Sequence, residues 1–168
     1  MYVQKGVYEK FTDILAKKTA EIKVGHGAKE GVTMGPVTTD RSLGKAEAQV
    51  EDAQKNGGKV VLGGKRLHGT PGYDGYFFEP TLITGAKDSM LIAREETFAP
   101  VMALFEFDTE EEAVQRANDT SMGLASYFFT KNVDRTWRLL ENLEAGMIGM
   151  SRFPDVAFGT DTDRSFQV

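Results

Sequence analysis

Residues 109–150 read "TEEEAVQRANDTSMGLASYFFTKNVDRTWRLLENLEAGMIGM". The stretch switches twice from helix chemistry to strand chemistry. Thr109 is a hydroxyl N-cap and Glu112 stands three residues on, the spacing of a capping box, so "TEEEAVQRAN" predicts a helix. "LASYFFT" is short, apolar and aromatic, which predicts a strand. "NVDRTWRLLENLEAG" predicts a second helix with Trp137, Leu140 and Leu143 facing inward and Gly146 at its end. "GMIGM" predicts a short closing strand. Strands that alternate with helices become parallel neighbours covered by those helices. The expected fold class is therefore α/β, a mainly parallel sheet flanked by helices.

The preceding half continues the theme. "YVQ", Tyr2 to Gln4, reads as a short strand that begins directly at Met1, which suggests that an N-terminal part is missing. An amphipathic helix over residues 7–23 has Val7, Phe11, Ile14, Leu15 and Ile22 on one side and lysines on the other. A glycine-rich connection, "VGHGAKEGVTMGP", lacks both the G-x-G-x-x-G spacing and the G-K-[ST] ending of phosphate loops, so it reads as a plain loop. A second helix starts near Asp40 as N-cap and carries Leu43, Ala46, Val50 and Ala53 on one face. It stops at "NGG", where Gly57 or Gly58 can adopt a left-handed conformation. "KVVLGG" is a buried-type strand. "GYFFEPTLITG" is another, and Pro80 inside it places it at an edge or a bulge. Periodicity is lost after Met150. The expected organisation is one domain over 1–150, with 151–168 as a loop or disordered tail.

Composition narrows the function. The chain has 168 residues, a formal net charge of -5 and no concentrated basic face, which speaks against a nucleic-acid surface. Lys17 and Lys18, the longest basic cluster, fit a solvated helix face. No apolar run approaches the roughly 20 residues of a membrane span, and the start lacks the apolar core of a signal peptide. The expected compartment is the cytoplasm, or the mitochondrion if an N-terminal leader has been lost. With no cysteine the chain has no disulfide, thiolate nucleophile or cysteine metal site. His26 and His68 lie in glycine-rich loops without a carboxylate at ligand spacing, so no metal site is expected.

One short stretch is chemically odd. "REETFAP", Arg94 to Pro100, places two carboxylates between the apolar segments "SMLIA" and "VMALFEF". Side chains of adjacent residues in extended backbone point opposite ways, so Glu95 and Glu96 make a poor acid–base pair. The bland expectation is that both pair with a neighbouring cation such as Arg94.

The order of motifs resembles that of the aldehyde dehydrogenase superfamily, in the part of the catalytic domain that follows the catalytic cysteine. "YVQKGVYEKF", "GGKVVLGGKR", "GYFFEPTLI", "REETFAPV", "TEEEAVQRANDTSMGLASYFFTKNVDR" and "LEAGMIGM" run in family order from about Tyr2 to Met150. The wording of "EGVTMGP", "VEDA" and "EETFAPV" is most similar to the succinate-semialdehyde dehydrogenase branch. The resemblance implies a partial aldehyde dehydrogenase catalytic domain and NAD or NADP as cofactor. It implies that Glu96 accepts the ribose hydroxyls on the nicotinamide side, work suited to an acceptor-only carboxylate. Phe98 would pack near the nicotinamide, as would Leu124, for which an ordinary core leucine is an equal alternative. Ala99 stands where the family has glycine. The family's substrate is an aldehyde, and its oligomers make association with full-length aldehyde dehydrogenase subunits conceivable.

The departures carry as much weight. The family's cysteine, which attacks the aldehyde to give a thiohemiacetal, would fall before Met1. Its water-activating glutamate and its Rossmann-type domain would lie further upstream, and an F-G-G-x-K segment should follow "GMIGM". No catalytic residue is therefore expected here, and the chain alone is expected to be inactive. A regulatory fragment that binds an intact enzyme, or a truncated product without function, are the alternatives.

Overall fold

The computed structural model describes residues 1–67 and 75–151. His68 and residues 152–168, including the "AFGT" stretch, lie outside them. The chain divides into two compact units, Met1–Asp108 and a second from Thr109 onward.

In the first unit, β1 (Tyr2–Gln4) leads through a 3-10 turn at Lys5–Val7 into α1 (Tyr8–Ala20). A loop then precedes α2 (Asp40–Lys55), followed by β2 (Lys59–Leu62), β3 (Thr81–Thr84), the single turn α3 (Leu91–Arg94), β4 (Val101–Ala103) and β5 (Phe105–Phe107). β3 is the central strand of β2-β3-β4, antiparallel to β2 and parallel to β4, while β1 pairs in parallel with β5. Consecutive residues of β3 serve opposite faces, as the two-residue strand period requires. Ile83 joins Leu43, Ala46, Val50 and Ala53 of α2 in one core cluster, and Leu82 joins Tyr8 and Leu15 of α1 in the other. The sheet is thus covered on both faces, the condition that parallel strands need. Tyr8 ties its cluster together: its buried hydroxyl donates to the Leu104 carbonyl at 3.2 Å and accepts from the Gly85 amide at 2.9 Å. Burial raises the Tyr8 pKa, partly opposed by the Gly85 hydrogen bond.

The second unit contains α4 (Glu110–Asn118), β6 (Ala125–Phe129), α5 (Val133–Asn142) and β7 (Met147–Ser151). β6 and β7 pair in parallel over five residues. Three of the four strand pairings among the described residues are therefore parallel, as the alternating pattern predicts.

Several local expectations change. The first α-helix starts at Tyr8, and its buried side is Tyr8, Leu15 and Thr19; Val7 and Ile14 are exposed. The stripe is rotated toward Tyr8 because that hydroxyl finds partners inside. The N-cap of α2 is Thr39, whose Oγ1 accepts from the Ser42 amide at 3.1 Å. Asp40 is thereby released to take a 2.9 Å hydrogen bond from Arg66 Nη1. Pro80 lies just before β3, a central strand, and occupies neither a sheet edge nor a bulge. The irregularity sits in β2, between Val60 and Leu62. In α5, Trp137 is 62% exposed and Leu140 is exposed too, so neither faces a core.

Helix ends follow the sequence signals more closely. Thr109 Oγ1 accepts from the Glu112 amide at 3.2 Å, and Asn132 Oδ1 accepts from the Arg135 amide at 2.8 Å. At the end of α2, Gly57 takes φ 95° and the Gly58 amide reaches back to the Ala53 carbonyl at 2.8 Å.

Candidate functional site

α3 is only one turn long, and it delivers the chain into the loop that bears Glu95, Glu96 and Phe98. Glu95 has extended backbone, φ -126° and ψ 128°, so its side chain and that of Glu96 diverge. Glu95 is tied to α2 twice. Lys45 Nζ lies 3.3 Å from Glu95 Oε2, and Gln49 Nε2 donates to the Glu95 main-chain carbonyl at 2.8 Å. The Glu95 amide closes α3 by donating to the Leu91 carbonyl at 2.9 Å. The partner of Glu95 is thus Lys45, where the sequence suggested Arg94; Arg94 Nε donates to the Asp88 carbonyl at 2.9 Å.

Glu96 is exposed, and its carboxylate has no hydrogen-bond or ion-pair partner among the described residues. Two residues on, Phe98 is 74% exposed and holds φ 49°, the left-handed region that non-glycine residues avoid. That backbone departs from the extended form, in which the side chains of residues two apart, such as Glu96 and Phe98, share one side. The aromatic ring instead stands on a turn. Val101 donates to the Ala99 carbonyl at 2.7 Å across Pro100, closing that turn. A cleft of about 430 Å³ is lined by residues 34–38 and 98–100. Its far wall comes from the glycine-rich loop, which Val37 pins by donating to the Tyr76 carbonyl at 2.9 Å. Phe98 thus lines the cleft, and Glu96 stands two residues before it on the same loop. A carboxylate only accepts, so Glu96 can take hydroxyl donors, and the exposed Phe98 ring offers an aromatic face at the cleft.

Leu124 belongs to the second unit, just ahead of β6, where its carbonyl accepts from the Met147 amide at 3.0 Å. Its side chain is 77% exposed, so it is not an ordinary core leucine. His26 is an exposed loop residue whose ring meets Phe77 edge-on at 5.3 Å. No group of three or more His, Asp or Glu side chains among the described residues could hold a metal ion. No described helix is long and apolar enough to cross a membrane.

Lys45 and Gln49 escaped the sequence reading. The signal for Gln49 was available: it interrupts the apolar stripe of Leu43, Ala46, Val50 and Ala53, and a polar residue buried in such a stripe needs a partner.

Loop and fold together define a partial α/β domain. The model of the Aldehyde dehydrogenase family matches residues 1–160, and the chain belongs to that family. The succinate semialdehyde dehydrogenase of Acinetobacter baylyi is 43% identical over 150 residues, which cover 89% of this chain and 30% of that protein. The succinate-semialdehyde dehydrogenase [NADP(+)] 1 of Schizosaccharomyces pombe is 45% identical over 149 residues, 89% of this chain and 29% of its own. The crystal structure of succinate-semialdehyde dehydrogenase from Burkholderia pseudomallei superimposes with a TM-score of 0.84 at 43% identity, over 89% of this chain and 30% of that one. The chain thus spans about 30% of the length of the relatives it matches.

Proposed function

We propose that this chain supplies the nicotinamide-side cofactor contact of an NAD(P)-dependent aldehyde dehydrogenase whose substrate is of the succinate-semialdehyde type. The observation that carries the reading is the division of the acidic pair: Glu95 is held by α2, while Glu96 keeps an exposed, unpartnered carboxylate two residues before Phe98, which lines the cleft. In this reading Glu96 accepts the two ribose hydroxyls, Phe98 packs near the nicotinamide, and the bound dinucleotide supplies the hydride acceptor. The similarity to two succinate-semialdehyde dehydrogenases supports the substrate class. The reaction belongs in the cytoplasm, or in the mitochondrion where a leader directs it.

By itself the chain does not turn over aldehyde, because its 168 residues contain no cysteine to act as the thiolate nucleophile. The test is purified chain with succinate semialdehyde and NAD+ or NADP+. Saturation-transfer NMR should report contact with the nicotinamide ribose, lost in Glu96→Ala, while no reduced dinucleotide forms. Turnover by the pure chain would overturn the inactivity, and a Glu96→Ala spectrum like that of the unaltered chain would overturn the site.

A second reading, that the chain docks on an aldehyde dehydrogenase polypeptide, is favoured by one observation. In the second unit Tyr127 and Phe129 stand on the same side of β6 and are both exposed, as are Trp137 and Val133 of α5. So much exposed aromatic surface marks an interaction face. Co-purification of the chain with an intact aldehyde dehydrogenase supports this reading, and a clean monomer in the presence of that enzyme rejects it.

A further inference from the structure

Gln49 is only 1% exposed, deeper than any other polar residue of α2, yet only half of its amide is satisfied. Nε2 donates to the Glu95 carbonyl at 2.8 Å, and Oε1 has no hydrogen-bond partner among the described residues. An unsatisfied buried acceptor costs free energy, and a Leu or Met in that apolar stripe would avoid the cost. Placement of a glutamine there makes sense only if its donor is needed. The acceptor it serves is the main-chain carbonyl one residue before Glu96.

We propose that Gln49 is a positioning residue for Glu96: its buried amide clamps the Glu95 carbonyl to α2 and so fixes the peptide plane that carries Glu96 into the loop ending at Phe98. The inference rests on the cofactor reading of Glu96 given above. Lys45 cannot do this work alone. Its bond to Glu95 joins two partly exposed ends, 35% and 54% accessible, and such pairs contribute little and leave the main chain free to rotate. A side-chain amide bonded to a main-chain carbonyl instead fixes the peptide plane that links Glu95 to Glu96. α3 is too short to do so, because its four residues leave the Glu95 carbonyl outside any helical ladder.

The test is Gln49→Met in the full 168-residue chain. Met matches the length of Gln, fits the apolar stripe and removes both the donor and the unsatisfied acceptor. Amide hydrogen exchange in the loop at Glu95, whose amide donates to the Leu91 carbonyl, should quicken by roughly five- to tenfold, the factor carried by one hydrogen bond of typical net strength. Exchange in β3 should stay as it was, and apparent NAD+ affinity should fall by a similar factor. A residue with only a structural role would instead speed exchange in β3 and the loop alike, or in neither, and either result overturns the proposal. Should Gln49→Met fail to fold, the unaltered chain decides: scalar coupling across the hydrogen bond from Gln49 Nε2 to the Glu95 carbonyl is expected, and its absence overturns the clamp. Failure of the unaltered chain to bind NAD+ sinks the cofactor reading, whereas unchanged loop exchange in a folded Gln49→Met sinks the clamp alone.

Discussion

Arg138 grips Glu110 with two nitrogens, Nε at 2.6 Å from Oε1 and Nη2 at 2.9 Å from Oε2, so the last turns of α5 are fastened to the first residue of α4. Arg135 adds Nε at 2.7 Å. The hydrogen bond from Arg138, reinforced by that from Arg135, lowers the Glu110 pKa from 4.5 to about 2 despite partial burial. The carboxylate also sits at a helix N-terminus, where negative charge is favoured. A carboxyl group with a depressed folded-state pKa adds stability above its unfolded pKa and loses it as pH falls through the folded value. The second unit should therefore weaken between about pH 4.5 and pH 2. Glu110→Gln should lose about 1 kcal/mol at neutral pH, a value discounted for the solvent exposure of both arginines, and should flatten that acid limb. Chemical-shift changes in α4 and α5 during an acid titration check both outcomes.

Thr81 carries a second prediction, on the first unit. Its buried hydroxyl donates to the Glu79 carbonyl at 2.7 Å and accepts from the Gly64 amide at 2.8 Å, which pins the β2 exit against β3. Thr81→Val keeps the shape and strands both partners, so it should cost about 2 kcal/mol in urea unfolding. Gly63 is the matching backbone site. It holds φ 70°, and an added Cβ would press on the Pro80 carbonyl and lie 2.8 Å from Thr81 Oγ1. Gly63→Ala should be worse than Thr81→Val, at more than about 3 kcal/mol, because strain and a backbone clash add.

Phe98 exchanges stability for placement. Its left-handed φ of 49° costs a branched or bulky residue roughly 1 kcal/mol, and its ring, 74% exposed, recovers little by burial. Asparagine tolerates that conformation. Phe98→Asn should raise the urea midpoint by an amount equivalent to about 1 kcal/mol while it weakens dinucleotide contact in the saturation-transfer experiment. A loss of stability in this variant would mean that the ring packs more than its exposure suggests.

What the sequence reveals and what it hides divide along physical lines. The parallel pairing of β6 with β7, the cap at Thr109 and the glycine end of α2 are legible, because each follows from local signals in the sequence. The rotation of the α1 stripe was not, since it is set by Tyr8 meeting Leu104 and Gly85 some eighty to a hundred residues away. The place of Pro80 is not legible either, because the motif around it does not mark where β3 begins. At the candidate site, the acidic pair could be seen to diverge from spacing alone. Which carboxylate was tied could not, since Lys45 and Gln49 approach from α2 only once the chain is folded. The inward face expected for Trp137 failed for a different cause: helical periodicity identifies an apolar side but does not supply anything to cover it.

That exposed side yields the last prediction. Trp137 is the sole tryptophan of the chain, so fluorescence reports on α5 alone. At 62% exposure its emission should be red-shifted and readily quenched by acrylamide in the isolated chain. Val133 and Leu140 stand beside it at helical spacing, and the second unit buries no residue of α4 or α5. Apolar surface of this extent favours self-association, so the sedimentation coefficient should rise with concentration. Trp137→Lys together with Tyr127→Lys should suppress that rise without loss of secondary structure, because surface substitutions shift stability by only about 0.5 kcal/mol. If the face docks on an intact aldehyde dehydrogenase, addition of that enzyme should shift Trp137 emission to the blue and protect it from acrylamide in the unaltered chain. Emission that is already blue and unquenched before any partner is added would show that α5 is covered within the chain itself.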